Sequence, residues 1–185
     1  MTNQTLKIGT ILITGISAAG KTTLGRRLFQ DLKNSNVDNL TLLDGEETRL
    51  IFEKKGIHFG YSMQDRYNHT IEIAHMAKEC NDQGRNAIVC AIAPCKDARE
   101  KMRMLIGNML EVYLDCPVEV CAQRDYKNNY NKAYQGLYDT FIGVTNPYEF
   151  SANPELTLHT GVENVEVCSE ILLKNALTFL KNSSG

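Results

Sequence analysis

With 185 residues, 43% of them hydrophobic and 23% charged, the chain has the size and balance of one folded unit with a sizeable core. A net charge of −2 supplies no basic field for coating a nucleic-acid polymer or a membrane surface, and the longest apolar stretches fall far short of a membrane span. Six cysteines, at positions 80, 90, 95, 116, 121 and 168, form no C-x-x-C pair and read as reduced thiols of a cytoplasmic protein, with Cys90 and Cys116 as small core residues.

The predicted elements alternate. The N-terminal stretch MTNQTLKIGTILITG has one Lys and no small-residue cleavage site, so it reads as a first strand rather than a signal peptide. KTTLGRRLFQDLK follows with Leu24, Leu28 and Leu32 at helical spacing. NLTLLDG is a second strand ending in an acid. MQDRYNHTIEIAHMAKECNDQG is a helix through Tyr67, Thr70, Ile73, Ala74, Ala77 and Cys80, with Gly84 suited to the cap beyond its end. NAIVCAIAP, MLEVYLDCP and ELTLHT are three more strands, and NVEVCSEILLKNALTFL is a closing helix. Strands alternating with helices predict an α/β fold, a five-stranded parallel sheet covered on both faces, in a single domain spanning 1–185. One segment breaks the alternation. Residues 124–154 are rich in Asn, Tyr and Lys and poor in aliphatics, as befits a lid.

Gly15-Ile-Ser-Ala-Ala-Gly20-Lys21-Thr22 matches G-x-x-x-x-G-K-[ST], with a strand before it and a helix after. Glycines let backbone N–H groups curl round phosphate oxygens, and the helix N-terminus adds its dipole. Gly15, Ser17, Ala18, Ala19, Gly20, Lys21, Thr22 and Thr23 are therefore the expected ATP-binding residues. Lys21 would reach the β- and γ-phosphates, and Thr22 would hold Mg²⁺ by its hydroxyl. There is no Asn-Lys-x-Asp guanine reader; the one Asn-Lys, at 131–132, lacks the Asp. A small P-loop unit with a polar lid reads as a kinase for a small acceptor. Asp44, at a strand's carboxyl end, could hold Mg²⁺ or accept a hydroxyl proton, and it could equally cap a following helix. Arg49 could clamp an acceptor phosphate.

These stretches, with FGYSMQDR, AIAPCKDAREKMR, EVYLDCPVEVCAQRDYK, KAYQGLYDTFIGVTNPYE and NPELTLHT, resemble the adenylyl-sulfate (APS) kinase family over nearly the whole chain. The resemblance implies a P-loop kinase fold with a lid, usually a homodimer, using ATP to phosphorylate the 3′-hydroxyl of adenosine 5′-phosphosulfate. It implies further that Arg49 and Arg66 bind the acceptor, that Tyr61 and Phe141 sandwich its base, and that Arg124 and Lys127 lie in the lid over ATP. Ordinary core packing is the alternative for the two aromatics.

The departures lie on the acceptor side. Where the family reads Asn-Ile-Arg-Arg after Asp-Arg-x-x, this chain has His69, Thr70, Ile71 and Glu72. Asp-Gly-Asp-Asn becomes Asp44-Gly45-Glu46-Glu47, Ile-Ser-Pro-Tyr becomes Ile92-Ala93-Pro94-Cys95, and the lid's Lys-Gly-Leu-Tyr becomes Lys127-Asn128-Asn129-Tyr130. Loss of a cation at Ile71, a predicted lining residue of the acceptor pocket, suggests a less anionic acceptor of the cytidine 5′-diphosphoramidate type, as in capsule synthesis. The alternatives are APS itself and, from another class, a nucleotide-binding module without turnover.

Overall fold

Strand β1 (Thr10–Thr14) is buried at every position, as a strand covered on both faces must be. Its side chains alternate between two cores. Ile11 and Ile13 pack with Leu24, Leu28 and Leu32 of α1 (Lys21–Asn34) and with Leu172, Ala176 and Leu180 of α7 (Val165–Lys181). Leu12 packs the other way, with Ile73, Ala74 and Ala77 of α3 (Met63–Asp82) and with Met102 and Ile106 of α4 (Lys96–Ile106). The computed structural model describes residues 7–181, and the opening MTNQTL lies outside them.

Around β1 the sheet adds β2 (Leu40–Asp44), β3 (Asn86–Cys90), β4 (Met109–Leu114) and β5 (Leu156–Leu158). All pair in parallel, in the order β2-β3-β1-β4-β5. Thr10 stands opposite Ala87 on one side and Met109 on the other, so the carboxyl ends of β1, β3 and β4 open onto one rim. Strand β3 stops at Cys90, short of the expected Pro94. Ala93 has a φ of +40°, and Pro94 has no N–H to continue a ladder.

Among the described residues, four helices lie beyond the expected ones: α2 (Gly45–Lys54), α4, α5 (Val118–Arg124) and α6 (Asn129–Tyr134). α2 starts directly after Asp44 and buries Thr48 and Phe52, one turn apart. α4 buries Ala98, Arg99, Met102 and Ile106, and its spacing Ala98-Met102-Ile106 was a legible signal. The 124–154 segment is less irregular than its composition suggests. α5 leads into it, α6 lies within it, and Tyr130, Ile142 and Tyr148 sink into the α1-side core. Among the described residues no helix is long and apolar enough to cross a membrane.

Candidate active site

The loop between β1 and α1 is shaped by backbone conformations that few side chains accept. Gly15 (φ 145°) and Gly20 (φ 104°) both require glycine, and a Cβ built at Gly20 meets nothing within 4 Å. Ala18 is left-handed as well (φ 59°). The carbonyls on the loop's back are taken up by long-range donors. Tyr130 Oη donates to Ser17 O at 2.8 Å, and Thr160 Oγ1 donates to Ala19 O at 2.9 Å. The loop is thus held from outside, and the start of α1 carries no side-chain cap and no acidic first turn. Such an end attracts an anion.

Lys21 Nζ donates to Ile16 O at 2.6 Å. Burial pulls its pKa down to about 8, against weaker upward pulls from Cys90, Cys121, Asp44 and Glu46. A desolvated ammonium held by a carbonyl is a fitting partner for a triphosphate. Thr23 is exposed at the start of the same helix. Thr22 Oγ1 donates to Asp44 Oδ2 at 2.6 Å, while Asp44 Oδ1 accepts the Glu46 N–H at 2.9 Å. Asp44 therefore is the cap of α2 and still presents a carboxylate to Thr22. A hydroxyl and a carboxylate converging beside a phosphate loop fit Mg²⁺, a hard cation that takes oxygen ligands.

Of the residues expected on the acceptor side, Arg49 lies on α2 and Arg66 at the start of α3. A capping box between Ser62 and Asp65 begins α3. Arg66 is buried, and its Nε donates to Tyr61 O at 3.0 Å. The Arg49 and Arg66 guanidiniums stand 4.7 and 5.5 Å from the Tyr61 ring centroid. Burial, with Arg49 beside it, lowers the Arg66 pKa to about 10. Arg49 also donates to Phe59 O and Gly60 O, which fixes the loop carrying Tyr61. Thr140 Oγ1 reaches across to Tyr61 O at 2.8 Å, which brings the lid residue before Phe141 to the same place. Phe141 itself packs on Tyr130 and Tyr138, with centroids 4.8 and 5.9 Å away. Ile71 is half-buried and stands apart: five residues along α3 place it about 140° round from Arg66.

Of the lid cations, Lys127 forms a 2.6 Å ion pair with Glu46, which ties the lid to the start of α2. Arg124 donates to Thr160 O at 2.8 Å, and Thr160 in turn holds the phosphate loop. Tyr130, Thr160 and His69 are site neighbours that sequence reasoning did not place. His69 Nε2 shares a 3.1 Å hydrogen bond with Thr48 Oγ1, and its ring lies 5.1 Å from that of Phe59. Burial, then Arg49 and Arg66, hold its pKa down to about 3, so it is neutral.

A phosphate loop entering a helix, an acid at the end of a neighbouring parallel strand and a lid define a P-loop phosphotransferase. The sequence model of the adenylylsulphate kinase family matches residues 7–159. The chain belongs to the adenylyl-sulfate kinase family. It is 35% identical over 166 residues to the adenylyl-sulfate kinase of Synechococcus sp. strain JA-3-3Ab, covering 90% of this chain and 92% of that one. It is 38% identical over 165 residues to that of Clostridium kluyveri, covering 88% and 80%. The Mycobacterium tuberculosis APS kinase CysC, solved in complex with AMPPNP and APS, superposes with a TM-score of 0.83 at 27% identity, over 95% of this chain and 99% of that one.

Family members are ATP-dependent phosphotransferases that act on a hydroxyl and use Mg²⁺, which sets aside the reading as a module without turnover. The expected cytidine 5′-diphosphoramidate acceptor is overturned by the same relatives, which are adenylyl-sulfate kinases. The physical reason is local. Ile71 lies on another face of α3 from Arg66, and the Arg49 and Arg66 guanidiniums stay beside Tyr61.

Proposed function

We propose that this protein is an adenylyl-sulfate kinase, moving the γ-phosphoryl group of ATP to the 3′-hydroxyl of adenosine 5′-phosphosulfate. The observation that carries the reading is Tyr61 flanked by Arg49 and Arg66, with Arg49 on the helix that Asp44 caps. A ring to stack on a base and two cations for a phosphosulfate suit this acceptor.

Residues Gly15 to Thr23 hold the triphosphate, and Lys21 leaves the Ile16 carbonyl to meet the γ-phosphate. Thr22 and Asp44 would hold Mg²⁺, which would neutralise charge on the phosphates. Asp44 orients the acceptor hydroxyl and takes its proton. Tyr61 and Phe141 enclose the base, Arg49 and Arg66 bind the anion, and Arg124 and Lys127 close the lid over ATP. The test is ADP release coupled to a panel of nucleotides with free 3′-hydroxyls. APS should give the highest kcat/KM and a 3′-phosphorylated product; ADP release that does not depend on APS would refute the reading. The same proposal includes a cytoplasmic homodimer, for which light scattering should give twice the chain mass.

A further inference from the structure

The segment leaving the lid runs back over the loop that follows β3, and the two are tied at four points. Glu149 N–H donates to Pro94 O at 3.0 Å. The first amide of α4, Lys96 N–H, donates to Glu149 Oε2 at 2.7 Å. The Arg99 guanidinium, only 1% exposed, donates through Nη1 to Ala93 O at 2.6 Å and through Nη2 to Glu149 O.

Arg99 is itself fixed on every side. Its Nε reaches Glu111 Oε1 and Ser151 Oγ, each at 3.1 Å, and Arg99 Cζ lies 5.0 Å from the Tyr148 ring centroid. The Tyr148 hydroxyl bonds Thr14 Oγ1 at 2.8 Å, and Thr14 Oγ1 donates to Ile92 O at 2.7 Å. Ala93 keeps a φ of +40°, a strained value that persists only where its surroundings over-determine it. From this loop Cys95 Sγ reaches Met63 O at 3.5 Å, on the first residue of the helix that carries Arg66. None of the four ties touches residues 15–23.

We propose that Arg99 and Glu149 form a clasp that positions the acceptor-side wall. The lid's exit and residues 92–96 move as one body against the start of α3, so the clasp governs acceptor binding and leaves the triphosphate loop alone. Both are positioning residues; neither touches the reacting atoms. The choice of acceptor in the test rests on the adenylyl-sulfate kinase reading.

Glu149 is exposed, so its variants should fold. Glu149→Ala removes the acceptor for the Lys96 amide, whereas Glu149→Gln retains an amide oxygen there. Loss of one charge-assisted hydrogen bond should raise the KM for APS about tenfold, with the KM for ATP within about twofold of the parent. Glu149→Gln should recover most of the loss. Hydrogen exchange, which needs no acceptor, should quicken about tenfold at the Lys96 amide and leave Gly15–Thr23 unchanged. Should the parent fail to use APS while exchange quickens at Lys96 and at the start of α3, the clasp stands and the substrate reading falls. Unchanged exchange, or KM values for APS and ATP rising together, would overturn the clasp.

Discussion

Asp44 is asked to do two things, and a pair of variants separates them. The residue is 6% exposed and accepts two hydrogen bonds, from Thr22 Oγ1 at 2.6 Å and from the Glu46 amide at 2.9 Å. In Asp44→Asn one oxygen remains for the Glu46 amide, and Asn caps a helix about as well as Asp. What disappears is the charge facing Thr22. A charge-assisted bond weakened to a neutral one costs about 1 kcal/mol, or about 2–4 °C in Tm for a chain of this length. Turnover should fall much further, by about 10²–10⁴, because an amide neither takes a proton nor balances Mg²⁺. Asp44→Ala should show the same loss of turnover plus the lost cap, a further cost of about 0.5–2 kcal/mol. Coupled ADP release gives kcat, and thermal melts give the second axis. If Asp44→Asn turned over within about threefold of the parent, its carboxylate would be a helix cap and the general-base argument would fail.

Lys21→Ala should lower kcat by about 10²–10³ in the ADP-release assay without loss of the fold, since it removes one preorganised contact to the developing charge. Burial holds the free Lys21 ammonium near a pKa of about 8 and a bound phosphate raises it. ATP affinity should therefore be insensitive to this group below that pH and fall by up to about tenfold per unit above it; a flat titration calorimetry profile to high pH would contradict this. His69 has a folded pKa of about 3, against an ordinary value of 6.5. The unfolded chain thus binds one more proton between those values, and stability should drop as pH falls through that window; denaturant melts of His69→Asn should lack that share of the slope. A Cβ on Gly25 would overlap Cys90 Sγ, so Gly25→Ala should cost about 1–3 kcal/mol by overpacking, read as a Tm lower by several degrees.

The central strands β1 and β3 were legible because they are buried on both faces and read as short apolar runs. TILIT and NAIVC need no partner information to be recognised. The phosphate loop was legible for a different reason: its backbone conformation demands glycine at fixed offsets. The four helices that passed unnoticed, α2, α4, α5 and α6, are short, and polar residues dominate the composition of α2 and α4. The ties that hold the site in place were not legible at all. Tyr130 on Ser17 and Thr160 on Ala19 join positions more than a hundred residues apart, and nothing local distinguishes these side chains from other polar ones.

The acceptor reading went astray over angular position on one helix. Ile71 and Glu72 look like the loss of two cations from a binding wall. A helix turns about 100° per residue, so they lie about 140° and 240° round from Arg66. His69, only three residues on, lies within about 60° of Arg66 and is buried with it. The departure that lies beside Arg66 is therefore His69. Its low pKa makes it neutral, held between Thr48 and the Phe59 ring. A neutral group there leaves the charges of Arg49 and Arg66 undiminished beside Tyr61. Two guanidiniums about one aromatic ring, with no carboxylate bonded to either among the described residues, favour an anionic nucleotide end over a neutral one. The electrostatics beside Tyr61 thus accord with the adenylyl-sulfate kinase reading proposed above, even where the residues along α3 differ.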